Sequence, residues 1–202
     1  FIEEGDYYMN KKAKYLGVIF FCTIIIVLIC SYYFFKASSY YDTIRVFNND
    51  IETNGRSLIE RKIFDLNNKS NKDEDEITQL EYLQNLDFVE GKVIDFDIKC
   101  QINDTEVEIN KVLYIKEINE LHFGIKIRNT GDISRINFEL RGEKNQRNDF
   151  IRIRTFYRVK GFWSTFERFS FKNLDIEKYE KLFLVINDGI NELHILLYEN
   201  EL

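Results

Sequence analysis

Arg152, Arg154, Phe156 and Arg158 occupy alternate positions of one predicted strand, so they share a face. Lys160, Trp163 and Arg168 follow closely in sequence. Guanidinium groups grip carboxylates and phosphates through paired donors, and an aromatic ring beside them adds apolar contact. This set therefore reads as a binding surface for an anionic partner, such as an envelope polymer, lipid headgroups or the acidic face of another protein. The ordinary alternative is a wet sheet face on which cross-strand carboxylates pair with the arginines, with Trp163 in a core.

Asp65, Asn67, Asp73 and Glu76 fall at the first, third, ninth and twelfth places of a loop of calcium-hand length. Lys69 stands at a ligand place and Ser70 where the sharp turn wants glycine, so the simpler reading is a solvated linker whose acidic end favours the start of the next helix. His122 and His194 are the two histidines of the chain. They form no metal spacing, and neither a nucleophile elbow nor a glycine-rich phosphate loop accompanies them. No metal or cofactor is expected, and the chain reads as a non-enzyme. An envelope hydrolase would require both histidines and nearby carboxylates to converge in one cleft.

The elements that must position these residues change character along the chain. From Lys92 the period is two: Ile94, Phe96, Ile98, Cys100 and Ile102 alternate with Asp95, Asp97, Lys99 and Gln101. Leu121, Phe123, Ile125 and Ile127 repeat the pattern before the turn residues Asn129 to Asp132. Further strands are predicted at 106–115, 133–141, 150–159, 164–171, 181–187 and 191–198, the last two flanking the hairpin signal Asp188-Gly189. This spacing predicts that residues 92–202 form an antiparallel β-sandwich of immunoglobulin-like size. Residues 36–91 read as a polar stalk with short helices, two of them near 57–66 and 74–86, which pack on the domain that follows. Ile44, Phe47 and Ile51 fit either a helix or a strand, and Asn54-Gly55 ends both.

Leu16 to Phe35 contains no charged residue. At about 1.5 Å per residue it spans roughly 30 Å, the hydrocarbon thickness of a bilayer. The run exceeds the roughly 7 to 15 apolar residues of a signal peptide. Tyr15 at one end and Tyr32, Tyr33, Tyr40 and Tyr41 at the other suit headgroup depth. Lys11, Lys12 and Lys14 precede the span and Lys36 follows it, so the positive-inside rule predicts residues 1–15 in the cytoplasm and residues 36–202 outside the cell membrane. The sequence further predicts a start at Met9, with residues 1–8 an untranslated leader; the alternative is a longer cytoplasmic part before Phe1.

The chain has no proline, and its abundance of Ile, Asn, Lys, Phe and Tyr is the bias of an AT-rich, bacterial coding sequence. A net charge of −6 argues against nucleic-acid binding. Cys22 and Cys30 lie in the span and Cys100 outside it, so an apolar core rather than a disulfide must hold the exterior domain.

The order of basic tail, single span, stalk and terminal all-β domain, with the strings Glu106 to Tyr114, Leu121 to Asn129, Phe169 to Leu174 and Tyr179 to Leu184, resembles the immunoglobulin-like exterior domains of membrane-anchored bacterial anti-sigma-factor-type proteins. The resemblance covers residues 92–202. It implies transmembrane regulation of transcription through a cytoplasmic domain, which a start at Met9 would not provide. The reading that needs no further segment is a single-pass protein whose exterior domain binds another membrane or envelope protein, or an anionic envelope polymer, as a sensor, assembly factor or accessory subunit.

Overall fold

The computed structural model describes the backbone of residues 2–102, 105–129, 134–144, 147–158 and 164–199; within these, the side chains of 2–13, 129, 134, 147–150 and 152–158 fall outside the description. The chain divides into two compact units, Phe1–Asp42 and Thr43–Leu202.

The first unit is helical, the greater part of α1 (Ile2–Glu52). Among the described residues one helix is long and apolar enough to cross a membrane, and its 18-residue apolar window has a mean hydropathy of 2.6 with no part buried. Leu16, Phe20, Leu28 and Phe35 are all exposed. Side chains apolar on every side without protein cover are what a lipid environment selects.

The second unit begins with the last turns of α1. That helix ends where Thr53, Asn54 and Gly55 take over: Asn54 and Gly55 have φ of 49° and 86°, and the Gly55 amide donates to the Asp50 carbonyl at 2.7 Å. This left-handed stop, natural for Asn and Gly, reverses the chain into α2 (Arg56–Asn68). A capping box then starts α3 (Glu74–Gln84), in which the Asp73 carboxylate accepts from the Glu76 amide at 2.8 Å. The Gly91 amide donates to the Asn54 carbonyl at 3.0 Å, so the helical excursion closes on its own starting point.

Eight strands follow: β1 (Gly91–Ile102), β2 (Thr105–Ile115), β3 (Glu120–Asn129), β4 (Ser134–Lys144), β5 (Arg147–Arg158), β6 (Thr165–Phe171), β7 (Lys181–Asn187) and β8 (Glu192–Glu199). They form two four-stranded antiparallel sheets, in the orders β1-β2-β3-β6 and β5-β4-β7-β8. β3 and β6 are neighbours in one sheet, and their successors β4 and β7 are neighbours in the other. The two crossings thus lock the layers together. Asp188 accepts from the Ile190 and Asn191 amides, both at 2.9 Å, and Gly189 at φ 93° completes the tight β7–β8 turn.

The core between the sheets is apolar. Val107, Ile109, Phe123, Ile125, Ile136, Phe138, Leu140, Leu184 and Ile186 are almost fully buried, and Phe123 stacks on Phe169 with ring centroids 5.0 Å apart. A second apolar cluster lies on the opposite side of the first sheet, where Phe47, Ile51, Leu58, Ile59 and Leu83 of the helices cover Leu113 and Ile115. The register of β2 shifts between Ile109 and Val112, so the alternation slips by one residue. Val112 and Tyr114 therefore join the inter-sheet core while Leu113 and Ile115 turn to the helices. The region 36–91, read in the sequence as a stalk, is divided by this arrangement: from Thr43 onward it belongs to the second unit.

Candidate functional site

Two buried carboxylates and the partly exposed cations that meet them on the outer face of the first sheet make up the candidate site. Successive residues of β3 alternate between faces, with Leu121, Phe123 and Ile125 in the inter-sheet core and Glu120, His122 and Gly124 on the helix side. Gly124 stands opposite Arg168 of β6, and the Phe47 ring closes over it; a Cβ there would sit 2.5 Å from two Phe47 ring carbons. The missing side chain is what lets the end of α1 lie on the sheet.

Three residues beyond Phe47, Asp50 is 1 % exposed. Its carboxylate accepts from Ser57 Oγ at 2.7 Å, from Arg168 Nη2 at 2.7 Å and from Arg61 Nη2. One carboxylate thus ties α1, α2 and β6. Burial lowers the pKa of Arg168, and the charge of Asp50 opposes that shift.

A second buried carboxylate, Glu120, accepts from Lys62 Nζ of α2. His122 Nε2 lies 2.9 Å from Glu120 Oε2, but neither atom makes a well-directed hydrogen bond. Burial pushes the Glu120 carboxyl up; His122 and Lys62 outweigh it, and the net shift is downward.

His122 stands directly opposite Ser170, and Arg168 lies two residues before Ser170 on β6. These three residues, with Phe47, Phe123 and Phe169, line a cleft of about 270 Å³. β6 is the last strand of its sheet, so the cleft lies at an edge. Farther along the same sheet Lys99, Glu106, Glu108, Lys126 and Arg128 line a smaller cleft of about 130 Å³, where Lys126 pairs with Glu108 at 3.2 Å.

The outer face of the second sheet carries a polar row. Asn137 Nδ2 donates to Asn187 Oδ1 at 2.9 Å, Asn187 donates to Glu139, and Arg141 Nη2 bridges Glu139 at 2.6 Å and Glu192 at 3.1 Å. His194 sits beside Glu192, 3.2 Å away. His122 and His194 therefore belong to different sheets and are not brought together.

The backbone of Arg152, Arg154, Phe156 and Arg158 lies in β5, the edge strand of the second sheet, in register with Leu140, Phe138, Ile136 and Ser134; their side chains lie outside the described residues. Lys160 and Trp163 also lie outside the described residues, whereas Arg168 is in the first sheet. In the stretch read against a calcium loop, Lys69 Nζ binds the Glu76 carboxylate at 2.6 Å while Asp73 caps α3. Among the described residues no group of three or more His, Cys, Asp or Glu side chains is placed to hold a metal.

Sequence reasoning passed over Asp50, Lys62 and Glu120. The available signal was Gly124, a glycine inside a strand that otherwise alternates cleanly, which marks a close approach by another element.

No family model matches the sequence, and no curated protein matches it. Among solved structures, a β-glucosidase from Erythrobacter marinus overlaps 55% of this chain and 16% of its own, at 15% identity and a TM-score of 0.29. That overlap is too slight to carry a functional argument.

Proposed function

We propose that the protein is a single-pass, membrane-anchored binding module whose β-sandwich faces the outside of the cell and engages an envelope protein or an anionic envelope polymer without catalysing a reaction. The observation that carries this reading is the fully uncovered apolar helix in a chain whose remaining residues build a separate compact unit with its own core. Tethering confines the module to two dimensions and raises its effective concentration for a neighbour, so weak contacts suffice.

Strand order supports an immunoglobulin-like sandwich with one added strand. With β1 set aside, β2 to β8 taken as strands A to G give the sheets A-B-E and D-C-F-G. The constant-type immunoglobulin arrangement is A-B-E-D and C-F-G, so one edge strand has changed sheets. Such sandwiches commonly serve as recognition modules, although fold alone names no ligand.

The proposed contact surface is the strand carrying Arg152, Arg154, Phe156 and Arg158. Replacing the three arginines by glutamine in the full chain, followed by crosslinking in intact cells, tests it. Loss of a specific crosslinked product with the circular dichroism spectrum unchanged is the expected result. Unchanged recovery from a folded variant would remove this surface from the proposal.

A further inference from the structure

We propose that the cleft between β3, β6 and the end of α1 is a binding site for a phosphate-type oxyanion, held by Arg168, Ser170 and His122.

The donors are already in place and unspent. Arg168 uses Nη2 on Asp50, while its Nε and Nη1 have no partner among the described residues. The Ser170 hydroxyl makes no hydrogen bond there either, and His122 engages through Nε2 alone, which leaves Nδ1. An arginine whose only task was to neutralise Asp50 would not be needed, because Asp50 already accepts from Ser57 and Arg61.

Charge favours an anion. Around the cleft Arg61, Lys62 and Arg168 face the two carboxylates of Asp50 and Glu120, an excess of positive charge in a chain whose net charge is −6. Arg168 is itself partly withdrawn from water, so an anion beside its open edge meets less screening than at the surface.

Geometry favours a tetrahedral anion over a planar carboxylate. His122 and Ser170 project from neighbouring strands at directly opposed positions, about 5 Å apart at Cβ, and Arg168 approaches from two residues along. Three separate donors standing off one face of the sheet match several oxygens better than two in a plane. A volume of about 270 Å³ accommodates such a group with part of its hydration, since liquid water takes about 30 Å³ per molecule. The open edge at β6 admits either free phosphate or the phosphate of a lipid headgroup.

The two histidines make the test direct, with His194 in the other sheet as an internal control. The full chain, in discs of phosphatidylcholine, is titrated with inorganic phosphate while both imidazoles are followed by NMR; a second sample uses discs containing phosphatidic acid. The expected result is a saturable change at His122 and none at His194, with a Kd of about 1 mM or tighter in at least one arm. Ser170→Ala and Arg168→Lys should each weaken it about tenfold, as loss of a charge-assisted or hydroxyl contact requires. Arg168→Lys retains a cation for Asp50, and Ser170→Ala removes a group with no structural partner, so the fold should persist in both. A response to free phosphate assigns the site to the soluble ion, and a response confined to phosphatidic acid assigns it to headgroups. No change at His122 in either arm, or equal changes in the wild type and Ser170→Ala, would overturn the proposal.

Discussion

Where the helices cover it the first sheet is enclosed on both sides, and the two sides are built differently. Toward the second sheet it presents Ile109, Val112, Phe123 and Ile125, packed without a charge among them. Toward the helices it presents Leu113 and Ile115 beside Glu120 and His122, with Asp50 buried and Arg168 partly buried against them. The inter-sheet core gains from area removed from water, is non-directional and would tolerate repacking. The helix side fixes one orientation through directed pairs, because any shift of α2 takes Lys62 from Glu120 and Arg61 from Asp50. The apolar layer makes the sandwich stable, and the charged layer determines where the helices sit and hence the shape of the cleft beside them.

Phe123→Ala should have the largest effect. It removes a fully buried ring stacked on Phe169 and should cost about 3 to 5 kcal/mol in urea unfolding. Asp50→Ala should come next, at about 3 kcal/mol, because Arg61 and Arg168 lose a shared buried partner. The comparison predicts a difference in kind too: hydrogen exchange should quicken across both sheets in Phe123→Ala, but chiefly in α2 and the end of α1 in Asp50→Ala. Uniform loss of protection in both variants would erase the distinction between the layers. Gly124→Ala should cost about 1 to 3 kcal/mol, since the new methyl meets the Phe47 ring, and Phe47→Leu in the same chain should recover part of it.

Acid should loosen the charged layer first. The folded Glu120 carboxyl titrates below its ordinary range, so its contribution is full above the unfolded pKa and disappears as the pH falls through the lower folded value. Amide protection in α2, taken as the ratio of intrinsic to observed exchange rate and followed from pH 6 to about pH 3, should fall before that of β4 and β7. At the small end, Arg128→Gln should change stability by less than about 0.5 kcal/mol, because its pair with Glu106 is long, at 3.9 Å, and half exposed.

The two layers also differ in how far the sequence discloses them. Period-two runs located all eight strands to within a few residues, and Asp188-Gly189 marked its hairpin, since alternation and positive φ are local properties. The split of β2 was hidden: strict alternation sends Leu113 and Ile115 the same way as Ile109, and only the shift at Asn110 and Lys111 reverses them. Glu120 at the start of a strand reads as solvated, and Asp50 near a helix end reads as surface charge, because burial by α2 is a tertiary event. Phe47 and Ile51 fitted helix and strand equally well until the cover over Gly124 distinguished them. Of the cleft, His122 and Arg168 were singled out in the sequence, but separately and for other reasons.

The central claim, a membrane-tethered module facing outward, is tested most directly by cysteine labelling in intact cells. Cys22, Cys30 and Cys100 are replaced, and single cysteines are placed by Ile190→Cys, at a position 85% exposed in the β7–β8 turn, and by Lys11→Cys ahead of the span. Labelling of the Ile190→Cys chain by a membrane-impermeant maleimide, with the Lys11→Cys chain reacting only after lysis, is the predicted result. Reaction of the Lys11→Cys chain in intact cells while the Ile190→Cys chain stays protected would contradict it.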